Sequence, residues 1–261
     1  MLFLKLGGSL LTDKTGVEAV RNEVLARLAA DLREVLEACP SMRLLIGHGA
    51  GSFGHVVAAR YQTHRGVRTA GEWRGFAEVH ASMIRLNRLV TEVLLEAGVP
   101  AFSFPPSALA QCADGRITAL RTEPILAALN AGLAPVVYGD VAFDAVRGGT
   151  IISTEMVLAA LARDLRPSWL LLAGETAGVY DQNGAVIPVI SPDNFAAVRA
   201  ALGGSRGTDV TGGMAGKVQE MLALVAEAPA LAIRIFSGLE AGLLKEVLLA
   251  PETAVGTRIS S

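Results

Sequence analysis

Short runs of β-branched or leucine residues alternate along this chain with longer segments of helical period. That alternation restricts the fold to helices packed on both faces of a mostly parallel sheet. The runs are Leu2–Leu6, Met42–Ile46, Pro100–Phe104, Pro135–Tyr138, Trp169–Leu172 and Ala232–Phe236. Helical segments lie near Glu18–Glu37, Gly71–Ala97, Thr122–Ala131, Glu155–Asp164, Asn194–Leu202, Ala215–Ala226 and Ala241–Leu249. The pattern predicts a doubly wound α/β fold, an open three-layer αβα sandwich. An Asn183-Gly184 step between Val179–Tyr180 and Val186–Ile190 predicts one hairpin, and a second is expected over Val136–Asp144. With no repeat, low-complexity tract or Pro/Ser-rich linker, the 261 residues read as one domain, its two lobes meeting near residue 165.

Composition removes several function classes. Hydrophobic residues make up 51% and mean hydropathy is +0.44, yet no apolar run reaches the roughly 18 residues of a membrane span. Lys5, Gly7 and Gly8 interrupt the N-terminal run, so a cytoplasmic protein is expected. The formal net charge is −2 with no basic block, which argues against a nucleic-acid partner. Cys39 and Cys112 have no metal-ligand spacing and read as reduced, structural thiols, so no protein metal site is expected.

Ligands of open parallel sheets bind beyond the carboxyl ends of the strands, and there this chain places glycine repeatedly. Gly7-Gly8-Ser9 follows the first strand, Gly47 to His55 (GHGAGSFGH) the second, Gly139-Asp140 a later one and Gly174 another. A further cluster, Thr208 to Lys217 (TDVTGGMAGK), leads into a helix. Glycine lets backbone N–H groups approach a phosphate, and a helix start adds partial positive charge. A lone Gly pair is more often a tight turn; the number of loops, with lysines beside them, points to several phosphates.

Two familiar phosphate motifs do not apply. Gly49-x-Gly51-x-x-Gly54 has the letters of a dinucleotide fingerprint, but no strand with an acidic end follows about 20 residues on. In the Gly212–Lys217 stretch the first glycine of a P-loop is replaced by Thr211, and Val218 follows the lysine where a hydroxyl is required.

Lys5–Ser9 (KLGGS), Thr12–Lys14 (TDK), Gly47–His55, Gly139–Asp144 (GDVAFD) and Thr208–Val218 together resemble the amino acid kinase superfamily, and within it the isopentenyl phosphate kinases. The resemblance runs over nearly the whole chain. It implies transfer of the γ-phosphate of ATP to isopentenyl phosphate, with Mg2+ accompanying ATP, an acceptor lobe over 1–165, a nucleotide lobe over 166–261, and a homodimer. Phosphoryl transfer needs in-line positioning and fixed positive charge. By resemblance Lys5 bridges the transferring phosphate beside donors at Gly7, Gly8 and Ser9. Lys14 approaches from the other side, and Lys217 holds ATP phosphates with Gly212 and Gly213. Gly174, Tyr180 and Asp181 fall on the nucleotide side. His55 is the residue that grips an acceptor phosphate, in a loop with Gly49, Ala50, Gly51 and Gly54. Phe76, Val79 and Met83, at helical spacing, wall an apolar pocket for the prenyl tail, although such a stripe is also what core packing produces.

The chain departs from this pattern twice. Where similar enzymes carry an aspartate that registers the catalytic lysines, this chain reads Ser153-Thr154-Glu155; Glu155 offers the same charge on a longer arm, and the resemblance puts Ser153 and Thr154 at the acceptor. The nucleotide-side loop keeps Gly178-Val179-Tyr180-Asp181 but begins Gly174-Glu175-Thr176-Ala177, which leaves the nucleoside open. A kinase of the same fold acting on another phosphate or phosphonate, such as fosfomycin, is the alternative; a non-catalytic nucleotide-binding module is a second. His64 and His80 read as ordinary surface residues.

Overall fold

The computed structural model describes residues 1–13, 15–202 and 213–261; the side chains at 55, 56, 201, 202 and 213 are outside the description. The chain runs β1 (Leu2–Leu6), α1 (Gly8–Leu11), α2 (Asn22–Ala38), β2 (Leu44–His48), α3 (Gly51–Tyr61), α4 (Ala70–Glu96) and β3 (Ala101–Ser103). It continues through β4 (Ala110–Ala113), β5 (Arg116–Leu120), α5 (Glu123–Asn130), β6 (Ala134–Tyr138), β7 (Asp140–Asp144), β8 (Gly148–Ile152) and α6 (Thr154–Leu165). The remainder is β9 (Trp169–Gly174), β10 (Val189–Ile190), α7 (Pro192–Leu202), α8 (Gly213–Glu227), β11 (Ala232–Ser237), α9 (Leu243–Leu249) and β12 (Thr257–Ile259).

Among the described residues eight strands form one sheet in the order β10-β12-β11-β9-β1-β2-β6-β3. Its pairings are parallel except β11 with β12. The period of two along each strand sorts the core into two layers. Leu2, Leu4, Leu6, Ile46 and Leu171 pack under α2, α4 and α9. Phe3, Leu45, Leu170, Leu172 and Ile233 pack under α5, α6 and α8. Strands buried on both sides are why these runs are continuously apolar and not alternating. The three-layer αβα sandwich read from the sequence is the observed fold.

Local chemistry sets the element ends. Thr69 and Glu72 form a reciprocal capping box that starts α4, and the Ser153 hydroxyl accepts the Met156 N–H to start α6. The helix expected from Glu18 begins instead at Asn22. Glu18 adopts φ 51 in a loop, held there by Arg85 and Ser82.

The hairpin expected over Val136–Asp144 is not formed. β6 stays in the main sheet, and after Gly139 the chain crosses into a second sheet of order β5-β4-β7-β8. The hairpin there is β7 with β8, pairing Asp140 with Ile152. Its turn is built by the Asp144 carboxylate, which accepts the N–H groups of Val146 and Arg147 and also those of Asp114 and Gly115. The Asn183-Gly184 hairpin is present as a single bridge, Tyr180 to Val186, while Val189–Ile190 joins the main sheet beside β12.

Candidate active site

Four loops interlock through their backbones at the carboxyl edge of the main sheet. The Gly7 N–H donates to Ala173 O at 2.8 Å, Gly49 N–H to Leu6 O at 2.9 Å and Gly238 N–H to Gly174 O at 2.8 Å. The loops after β1 and β2 are in bare backbone contact. A Cβ on Gly8 would lie 2.3 Å from Gly51 N, and one on Gly49 would lie 2.5 Å from Gly8 N. Gly51 begins α3 at φ +50, where a Cβ would meet Thr12 Oγ1 at 2.0 Å. Glycine at these positions is therefore a packing requirement, and it gathers peptide N–H groups at one rim.

Lys5 shares a face of β1 with Phe3 and so faces α6, where its Nζ meets Glu155 Oε1 at 2.6 Å. The side chains are 15% and 25% exposed. Burial pushes the Glu155 carboxyl up, but the charge and hydrogen bond of Lys5, its own backbone amide and the charge of Lys217 outweigh this, so its pKa lies below the ordinary value. Lys217, on α8, and Glu155 line one cavity of about 600 Å³ between α6 and α8, with Leu170 and Leu172 as its floor. Glu155 is thus paired with one ammonium, that of Lys5, and shares a cavity with a second, that of Lys217.

The hydroxyls of Ser153 and Thr154, expected at the acceptor, have structural partners. Ser153 caps α6, and Thr154 Oγ1 donates to His48 O at 2.7 Å, tying α6 to β2. His48 is fully buried and stacked on Tyr138; its Nδ1 faces Gly49 O and its Nε2 faces the Asn87 amide. Asn87 Oδ1 in turn accepts from Ser103. Desolvation lowers the His48 pKa to about 4, only partly opposed by the Gly49 carbonyl, and Lys5 lowers it further. A neutral imidazole here steadies the start of the glycine loop.

Gly54 packs against Met83, so closely that a Cβ would lie 2.7 Å from its sulfur. Met83 belongs to the main core. Phe76 and Val79 belong to a separate apolar cluster with Val67 and Val141, flanked by Val57, Ala58 and Ile151, which α3, α4 and the β7–β8 hairpin enclose. Trp73, Phe76 and Phe143 meet at its rim, with ring centroids 5.2 to 5.9 Å apart. His80, read from sequence as ordinary, has Nδ1 3.0 and 3.1 Å from the two oxygens of buried Asp140. That hydrogen bond raises its pKa against the opposing cost of burial.

Tyr180 and Asp181 are occupied in their own turn: Tyr180 Oη accepts the Ala177 N–H, and Asp181 accepts those of Asn183 and Ala185. Ser9 and Ala50 contribute backbone, in α1 and at the start of α3. Gly213 opens α8. Lys14, Gly212 and the side chain of His55 lie outside the described residues. Sequence reading missed the Asn87 and Thr154 supports of His48 and the His80–Asp140 pair, whose partners are far apart in the chain and carry no motif. It also missed an ion pair between Arg21 and Glu175.

Residues 1–237 match the profile of the amino acid kinase family. The chain belongs to that family. Among amino acid kinases it is 35% identical to the isopentenyl phosphate kinase of Methanothermobacter thermautotrophicus, over 100% of this chain and 99% of the relative. It is 40% identical to that of Haloferax volcanii, over 87% and 90% respectively. A solved isopentenyl phosphate kinase superposes with a TM-score of 0.84 at 30% identity, each chain covered completely.

Proposed function

We propose that this kinase transfers the γ-phosphoryl group of ATP to isopentenyl phosphate. An acceptor phosphate oxygen attacks the γ-phosphorus, the bond to the β–γ bridging oxygen breaks, and ADP leaves with isopentenyl diphosphate as product. The observation that carries this reading is Lys5 held 2.6 Å from Glu155 beside two glycine loops in backbone contact. The full-length similarity to isopentenyl phosphate kinases supports the choice of acceptor.

In this reading Lys5 neutralises charge on the transferring group while Glu155 fixes its ammonium in position. Lys217 and the N–H groups of Gly212 and Gly213 receive the ATP phosphates, Lys14 approaches from the acceptor lobe, and His55 donates to the acceptor phosphate. Phe76 and Val79 wall the prenyl pocket with Val141 and Ile151. Among the described residues no group of three or more His, Cys, Asp or Glu could hold a metal. In this reading Mg2+ arrives on the phosphate oxygens of ATP, where it would supply further charge neutralisation. We also assign the acceptor to a lobe over 1–165 and the nucleotide to one over 166–261 of a single domain, in a cytoplasmic homodimer, whose mass sedimentation analysis would test. No helix among the described residues is long and apolar enough to cross a membrane.

The deciding assay is coupled ADP release with isopentenyl, dimethylallyl, geranyl and farnesyl monophosphates, fosfomycin and amino acids as acceptors. Isopentenyl phosphate is expected to give the highest kcat/KM, and preferential turnover of fosfomycin would overturn the assignment. His55→Ala should raise the acceptor KM or abolish turnover while ATP binding survives.

A further inference from the structure

Lys5 is not a free charge. Glu155 lies 2.6 Å from its ammonium and offsets part of its charge, so a triphosphate calls for further cations beside this pair. Arg21 supplies a cation in the same neighbourhood. It stands immediately before α2, in the loop that returns from Thr12 and Asp13, and its backbone N–H donates to Leu11 O at 2.8 Å. Its Nη1 lies 3.0 Å from Glu175 Oε1, with both side chains about one-third exposed. Glu175 directly follows Gly174, whose Cα would lie 3.5 Å from a Cβ on Gly7. The backbone of Arg21 is thus tied to the segment after β1 and its guanidinium to the loop after β9, so the side chain spans the two.

Arg27, one and a half turns into α2, shows what a structural arginine looks like here. Arg27 spends its guanidinium on two carbonyls, Gly238 O at 2.7 Å and Glu240 O at 3.3 Å. Among the described residues the Arg21 side chain meets Glu175 alone, as an ion pair, and its guanidinium is a planar fork suited to phosphate. We infer that Arg21 is a nucleotide-binding residue that contacts the β- or γ-phosphate of ATP across the mouth of the site, exchanging Glu175, which holds its guanidinium in the free chain, for the phosphate. The inference rests on the kinase reading for the presence of ATP but not on the identity of the acceptor.

Calorimetric titration of the full chain with ATP, ADP and AMP, each with Mg2+, tests it in the absence of any acceptor. Arg21→Ala should weaken ATP by at least about tenfold, with ADP also weakened if the β-phosphate is the contact, and leave AMP within about twofold. Arg21→Lys should recover part of the loss, because it keeps the charge without the fork. Glu175→Gln should leave ATP affinity within about twofold or tighten it, since the guanidinium then has no competing carboxylate. Equal weakening by Arg21→Ala and Glu175→Gln would mean that the pair only latches two loops, and would overturn the inference. So would an Arg21→Ala chain that melts like the wild type and binds ATP unchanged, or one that loses ATP and AMP alike. A wild-type chain that binds ATP but leaves isopentenyl phosphate unphosphorylated overturns the acceptor assignment and not this one. A chain that binds none of the three nucleotides overturns both.

Discussion

Replacing Gly8 by alanine sets two physical effects of opposite sign against each other. Gly8 is the first residue of α1, and helix propensity alone favours alanine there by about 1 kcal/mol. The added methyl, however, would lie 2.3 Å from Gly51 N, 2.9 Å from Gly51 Cα and 3.1 Å from Gly49 C. All three neighbours are backbone, so no side chain can rotate away, and the loops must part by about 1 Å to restore van der Waals contact. Overpacking of this kind costs about 1–3 kcal/mol, enough to cancel the propensity gain and leave a net loss of about 1 kcal/mol. For a chain of this size that is a fall in Tm of about 2–4 °C. Separation of the donor loops by the same distance should lower kcat/KM on isopentenyl phosphate by about 100-fold. Gly71→Ala is the matched control. It lies in the first turn of α4 with nothing within 4 Å of its would-be Cβ, and should melt at or above the wild-type temperature with unchanged kinetics. Thermal unfolding with the coupled ADP-release assay reads both variants. A Gly8→Ala chain that melts higher than the wild type, or keeps kcat/KM within about threefold, refutes the claim that these loops touch.

Glu155→Gln removes the partner of a partly buried ammonium. Breaking a fully buried pair costs roughly 3–5 kcal/mol, and solvent access here reduces that to about 1–3 kcal/mol, visible as a lower denaturation midpoint together with a fall in kcat. Because the Glu155 pKa is lowered on folding, the stability that this pair confers is present above the ordinary carboxylate value of 4.5 and disappears as pH falls through the folded value. An acid-unfolding profile identical in Glu155→Gln would contradict that. His48 works over a higher range. Its pKa drops from 6.5 to about 4 on folding, so the unfolded chain takes up the extra proton and stability falls as pH is lowered from about 6.5 towards 4, by up to about 3 kcal/mol. Denaturant melts of His48→Gln should show that slope reduced. His80 has the opposite sign: its pKa is raised by Asp140, and its contribution is complete below 6.5 and lost as pH rises through the folded value. Phe76→Ala should destabilise by about 3–5 kcal/mol and raise the KM for isopentenyl phosphate while the ATP KM stays within about twofold. Equal effects on both substrates would remove Phe76 from the acceptor pocket.

The alternation of apolar runs with helical segments was legible because strand and helix periods are local, and burial of the sheet on both faces leaves continuous apolar strands such as Leu44–Ile46. The glycine loops were legible for the same reason, since each immediately follows its own strand. The hairpin at Val136–Asp144 was misread because Gly139 permits either a tight turn or a crossing between sheets. Which one forms depends on whether β7 finds a better partner in β8 than in β6, a choice made by pairing and not by propensity. The extent of β4 and β5 was hidden likewise, their residues being only partly buried and their register set by neighbours.

Residue types and their distance from a strand end determined, without any coordinates, that this chain gathers lysines and peptide amides at one sheet edge. Only the tertiary structure decided which of them act together. Lys5 and Glu155 are 150 positions apart, and His80 and Asp140 are 60. Arg21 and Glu175, an ion pair, are 154 apart. Such pairs form because the parallel strands β1, β2, β6 and β9 all end at one edge, so the residues beyond them converge whatever their separation along the chain. No local period encodes which of those residues will touch.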